Sequence, residues 1–355
     1  MKKITEELVS PADRQLLQLV LADQPGQEAV DAFLPEWASL PEDEGRTLLL
    51  ACFVASHPEF SFPDTVKKQV RAASDRRWLH NMHLLTQFRK LSGSLRRAGI
   101  PVTLFKGGAM KFLQPSLPRP MSDIDVIVPE QDYARAAAII RDLGYRCSRE
   151  HHSFDVHLKD SADGLLDVHR HIPLLSRKEK AIMPDLLSRA REISAFGSDV
   201  SVLCEEDLVF TLLVNLTRNL MNKTSLRGFL FAFSDVHCLL GSKPDFDWSI
   251  VVRDAHRSGS ERLLLFAIRV MNDILPGFLP EVVEVPDREM EDLEIRVHYV
   301  RDVLYPLQQR SHQLGVGKVL RNPRLIPEFL KVRPRYSFLK LFRSCPTLSR
   351  RLLYK

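Results

Sequence analysis

Lys106 to Val128 reads K-G-G-A-M-K-F-L-Q-P-S-L-P-R-P-M-S-D-I-D-V-I-V. A short apolar run, Pro101–Phe105, leads into it as a predicted strand. Lys106-Gly107-Gly108 is expected to be a turn, and Ala109–Leu113 to open a helix. After a Pro-rich loop, Ser122–Val128 reads as a second strand. Strand alternation puts Asp123 and Asp125 on one face and Ile124 and Val126 on the other. Two carboxylates so close repel unless a cation lies between them. Hard oxygen ligands beside glycines suggest Mg²⁺ holding a polyphosphate, because glycines let backbone N–H groups approach phosphate and a helix N-terminus favours negative charge. A D-x-D on a strand can also be a solvated edge. Here Val126-Ile127-Val128 follows the acids, so the strand is expected to enter a core.

Downstream, Ser153–Lys159 and Leu165–His171 alternate apolar and polar residues and read as a hairpin. Between the D-x-D strand and this hairpin, Pro129–Asp132 begins a helix through Leu143, stopped by Gly144, and Tyr145–Glu150 reads as an edge strand. Asp155 and Asp167 each occupy a D-x-H on this predicted hairpin, and pattern alone leaves them nearly even as a third carboxylate. His169 and His171 either contact phosphate or line the site. A zinc site would need a further ligand of good spacing, and none is evident in the sequence.

These pieces resemble the nucleotidyltransferase superfamily of the DNA polymerase beta fold, and within it a bacterial branch of uncharacterised nucleotidyltransferases. The matching pieces are Lys106-Gly107, Arg119, Ser122–Val128 and Leu166-Asp167-Val168-His169. The resemblance covers the middle third of the chain, with looser similarity in the helical flanks. It departs at Gly108, where many members carry Ser. It implies an α+β fold, with a small mixed sheet flanked by N-terminal and C-terminal helical regions. It also implies a Mg²⁺-dependent transfer of a nucleoside monophosphate from a nucleoside triphosphate to an acceptor hydroxyl, releasing pyrophosphate. Asp123, Asp125 and Asp167 would hold two Mg²⁺ ions and carry the catalysis, and the match favours Asp167 over Asp155. Lys106, Gly107, Gly108, Arg119, Ser122 and His169 would surround the nucleotide. The alternative is a catalytically idle nucleotide- or partner-binding module of the same fold.

The 355 residues allow more than one domain. The regions expected are a helical 1–97, a core 98–200, a second helical region 201–330 and a basic tail 331–355. A formal charge of +5 permits an anionic partner without requiring one. Five scattered cysteines without a C-x-x-C argue for a reducing cytoplasm and against a disulfide frame. Acids at Glu6 and Glu7 stand where a signal peptide would be apolar, and the run Thr47–Ala55 is too short to span a bilayer and reads as a buried helix.

In the N-terminal region Pro25, Pro35, Pro41, Pro58 and Pro63 are expected to punctuate short helices. Trp78, Met82, Leu85, Phe88, Leu91 and Leu95 form a predicted core stripe ending at a C′ glycine, Gly99. In the C-terminal region, helices are predicted over Leu208–Met221, Leu226–Leu240, Glu261–Ile274 and Glu289–Leu304. Asp235 is read as a buried acid pairing with Arg218 or Arg227, Asp247 as a helix cap and Trp248 as a packing residue. The tail interleaves cations with aromatics and suits either an anionic membrane or a partner contact. The acceptor is expected to be a small molecule or a protein rather than RNA, since no RNA-binding motif is evident.

Overall fold

The computed structural model describes residues 9–280 apart from 23, 116–118, 149–152, 159–163, 173–177 and 222–225. All of these lie in one compact unit, Met1–His298. The helix expected over Glu289–Leu304 and the basic tail lie outside the described residues.

Four helices open the described residues. In α1 (Pro11–Val20), Ser10 and Asp13 form a reciprocal capping box that satisfies two backbone donors at once. Helix α2 (Gln27–Ser39) continues through Pro35, where the sequence predicts a break between helices. Pro35 and Asp31 are both exposed, so water can satisfy the Asp31 carbonyl that Pro35 cannot reach. Helix α3 (Glu44–Ser56) buries the apolar run Thr47–Phe53. Helix α4 (Asp64–Arg97) buries Leu85, Phe88, Leu91 and Leu95, but Trp78 is 58% exposed and off the core. No residue of α4 between Ala73 and Asn81 is buried, so the stripe there runs past the packed layer. The helix ends in a Schellman motif: Gly99 has φ +73°, its N–H donates to Arg96, and the Ile100 N–H donates to Leu95.

The sheet is mixed and seven-stranded, in the order β3-β4-β5-β2-β1-β7-β6. The interior strand β1 is only Thr103–Leu104, shorter than the predicted run, and the central strand β2 is Ile124–Ile127. Strand β1 lies antiparallel to β2 and parallel to β7 (Ser198–Val202). Strand β2 in turn lies parallel to β5 (Gly164–His169), which makes the expected hairpin with β4 (Ser153–His157), and β3 (Arg146–Cys147) is the edge. The other edge, β6 (Arg191–Ala195), pairs with β7 around a turn in which Phe196 and Gly197 both have positive φ. That hairpin was not foreseen, because Phe-Gly lacks the Asn-Gly or Asp-Gly signature of such a turn. Strand β7 runs two residues past the expected core boundary at 200.

Helix α5 (Lys106–Leu113) follows β1, and α6 (Tyr133–Asp142) follows β2, ending near Gly144 at φ +90°. A short α7 (Met183–Arg189) precedes β6. Then come α8 (Glu205–Met221), α9 (Leu226–Ser242), α10 (Trp248–Ser258) and α11 (Glu261–Ile274). Asp247 caps α10 by accepting the Ser249 N–H, and Trp248 packs on Phe246. Among the described residues no helix is long and apolar enough to cross a membrane.

Candidate active site

Lys106-Gly107-Gly108 is not a free turn; it forms the first turn of α5. The left-handed conformation falls on Lys106 itself, at φ +51°, which a side chain adopts only at a cost. From there Lys106 Nζ reaches Asp125 Oδ1 at 2.5 Å. The glycines serve close approach. A Cβ at Gly107 would lie 2.6 Å from Arg119 Nη1, and one at Gly108 would lie 3.0 Å from Ile124 Cγ2 and 3.2 Å from Leu104 Cδ2. Gly108 is therefore a packing glycine between helix and sheet.

Asp125 sits in β2 with all four strand residues buried, while Asp123 lies just before the strand and is half-buried. Ser122 is exposed, and its hydroxyl donates to Asp123 Oδ1 at 3.2 Å. Parallel pairing of β2 with β5 makes Asp167 the register partner of Asp125. His169, two residues on, shares the face of Asp167. Its Nε2 stands 3.1 Å from Asp125 Oδ1 and 2.9 Å from Asp167 Oδ2, and its ring packs edge-on against Phe105. One donor atom each from Asp125, Asp167 and His169 falls within 4.8 Å of the others. Two carboxylates and an imidazole are a donor set that fits a divalent cation. Asp167 Oδ1 is buried and has no hydrogen-bond partner among the described residues, which leaves it a lone pair to give. Asp155 pairs in register with Asp167 from the other side, but its carboxylate accepts the Ser148 hydroxyl and stands outside this group. His171 is buried beyond the end of β5 and is also outside it.

Burial alone would raise Asp125, but the Lys106 ammonium and the His169 hydrogen bond outweigh it and hold the carboxyl well below the usual range. Asp123 goes the other way: burial and then repulsion from Asp125 push it up to about 6. For His169, burial favours the neutral ring, yet hydrogen bonds to Asp125 and Asp167 raise its pKa overall.

A cavity of about 240 Å³ opens beside this cluster and reaches it at Asp125. One wall carries Lys106, Gly107, Arg119, Ser122, Asp123 and Asp125; the other carries Leu212, Asn215, Phe231 and Asp235 from α8 and α9. Asp167 and His169 are not among its lining residues. Arg119 does not stand as an exposed cation. It makes a two-pronged pair with Asp235, Nε to Oδ1 at 2.7 Å and Nη2 to Oδ2 at 2.6 Å. The sequence predicts Arg218 or Arg227 as the partner of Asp235; its two-pronged partner is Arg119, 116 residues away on the loop before β2. Asn81 of α4 grips the same loop, donating to the Arg119 carbonyl at 2.7 Å and accepting the Met121 N–H at 3.1 Å. Sequence reasoning missed Asn81 and the wall residues Asn215 and Phe231. The one available signal was Asn81 as a polar residue inside an apolar stripe.

The model of a family described as "uncharacterised nucleotidyltransferase" matches residues 42–276. No curated protein matches the chain. Among solved structures, the crystal structure of ANT(2")-Ia in complex with adenylyl-2"-tobramycin is 17% identical, with 49% of this chain and 97% of that one covered and a TM-score of 0.38. An antigenic nucleotidyltransferase-like protein from Paracoccidioides brasiliensis is 12% identical, with 60% and 91% covered and a TM-score of 0.36. The family match spans well over half of the 355 residues, from helix α3 through the sheet to α11, so the chain belongs to the uncharacterised nucleotidyltransferase family.

Proposed function

We propose that this nucleotidyltransferase moves a nucleoside monophosphate from a nucleoside triphosphate to an acceptor hydroxyl in a Mg²⁺-dependent reaction. The acceptor oxygen bonds to the α-phosphorus, the α–β bridging bond breaks, and pyrophosphate leaves. Asp123, Asp125 and Asp167 would hold two divalent ions, and His169 keeps Asp125 and Asp167 side by side through one ring nitrogen. Mg²⁺ bound there would neutralise the triphosphate and acidify the acceptor hydroxyl. The Asp167 carboxylate takes the acceptor's proton. Lys106 exchanges Asp125 for a phosphate oxygen, and Arg119, Ser122 and the first turn of α5 at Gly107 and Gly108 complete the donor site. Catalysis is then positioning plus electrostatics, carried by a frame that exists before substrate arrives.

The observation that carries this reading is the convergence of Asp125, Asp167 and His169 beside a cavity walled by two cations and Asp123. We place the catalytic core at residues 98–200 with β7 completing it, between helical regions 1–97 and 201–330, and assign the basic tail 331–355 to an anionic surface or partner. The acceptor is a small molecule or a protein, met in the cytoplasm. A screen of the four nucleoside triphosphates with Mg²⁺ or Mn²⁺, reading pyrophosphate and self-labelling by mass, tests the reaction. Asp123→Asn is expected to fold and release no pyrophosphate; equal release by that variant refutes the assignment.

A further inference from the structure

Arg119 is placed where electrostatics alone would not put it. Its guanidinium lies against Gly107, at the positive end of α5, with Lys106 on the same cavity wall. A guanidinium has five N–H bonds. Three are used: two on Asp235 and one on the Pro120 carbonyl at 2.9 Å. The remaining two, one on each terminal nitrogen, have no acceptor among the described residues, and the residue lines the cavity. The Asp235 side chain is 4% exposed and that of Arg119 is 17% exposed, so the pair is largely desolvated, and both residues line the cavity. Phe231, one turn before Asp235 on α9, stacks against the guanidinium with its ring centre 5.7 Å away.

We infer that Asp235 is a positioning residue: it fixes the Arg119 fork over the start of α5, so that the unused N–H bonds meet the donor's polyphosphate. This rests on the donor site proposed above and deepens it. It gives the C-terminal helical layer a share in phosphate binding, although no acid on α9 can touch an anion favourably itself. The Asp235 carboxylate does this by using the side edge of the guanidinium and leaving the end free.

The test is calorimetric binding of Mg²⁺–tripolyphosphate, which needs neither base nor acceptor, by the full chain and by Asp235→Asn, Arg119→Gln and the double variant. Loss of an outer partner of a ligand-holding group typically costs about 10- to 100-fold in affinity, and D235N is expected to fall in that range. Added to R119Q, D235N should cost nothing further, because it acts through the arginine. If D235N lowers the melting temperature but binds tripolyphosphate as the wild type does, the pair is only structural and the inference is overturned. Additive losses in the double variant overturn it too. Should D235N not fold, Arg119→Lys carries the test: it keeps the charge but loses the fork, and undiminished affinity overturns the inference. A wild-type chain that binds no tripolyphosphate removes the donor site itself; binding that D235N retains removes this inference alone.

Discussion

Asp125 and Asp167 are register partners on parallel strands, and a single nitrogen of His169 stands within 3.1 Å of one carboxylate and 2.9 Å of the other. The imidazole thus does for the two acids what a bound cation would do, and keeps their free lone pairs aimed together. Asp167→Asn keeps the size and loses the charge. Its turnover is expected to fall by roughly 10²–10³-fold or more, with far-UV circular dichroism unchanged. Asp155→Asn is expected to leave turnover within a few-fold of wild type. A reversal of that order would move the third carboxylate one strand outward.

Asp123 sets a pH dependence. Its folded pKa of about 6 exceeds the ordinary 3.8, so between these values the folded chain holds a proton that the unfolded chain releases. Without a divalent ion, this group therefore makes the fold less stable as pH rises from about 4 to 6. Cation binding needs the ionised form. Mg²⁺ affinity is expected to rise as pH passes 6, with proton release detectable by calorimetry in buffers of different ionisation heat. Affinity flat from pH 5 to 7, or a step that survives Asp123→Asn, defeats the assignment.

Gly108→Ser would restore the Gly-Ser that many superfamily members carry. Here the new Cβ would press on Ile124 and Leu104 at 3.0 and 3.2 Å in a packed interior. We expect a loss of about 1–3 kcal/mol of stability by urea unfolding, the usual cost of overpacking, and no gain in turnover. A stable, faster G108S would mean that the helix yields here and that a hydroxyl at this place reaches phosphate.

Away from the cavity, Arg189 donates to both Asp207 and Asp254, two acids with no exposed surface. Removing one partner of a buried ion group leaves charge uncompensated, and Arg189→Met is expected to cost about 3–5 kcal/mol. Burial raises the Asp207 pKa even with Arg189 lowering it, so in R189M the penalty should shrink as pH falls and Asp207 takes a proton. Equal destabilisation at pH 5 and pH 8 contradicts this account.

Much of the site was legible because its pattern is local. The alternation of Ser122–Val128 placed Asp125 in a strand, and that of Ser153–Lys159 and Leu165–His171 marked the hairpin carrying Asp155 and Asp167. What was hidden is long-range. The Arg119–Asp235 pair joins a Pro-rich loop to a helix with no spacing rule between them. Lys106 was legible as a cation but not as the residue that bears the left-handed backbone, since two glycines follow it. The exposure of Trp78 shows the limit of periodicity: a stripe says which face is apolar, not how far along the helix that face is covered.

The sheet's order bears on how the chain is made. Interior strand β1 is flanked by β2 and by β7, whose Ser201 pairs with Thr103 across nearly a hundred positions. During synthesis, therefore, the acids leave the ribosome well before the strand that completes their sheet, and Arg119 leaves before the carboxylate that orients it. A nascent chain cut short of Val202 would carry every acid of the trio without a closed frame to hold it. Emergence of β7 and then of Asp235, rather than of the D-x-D alone, then marks when the frame around the acids can be completed.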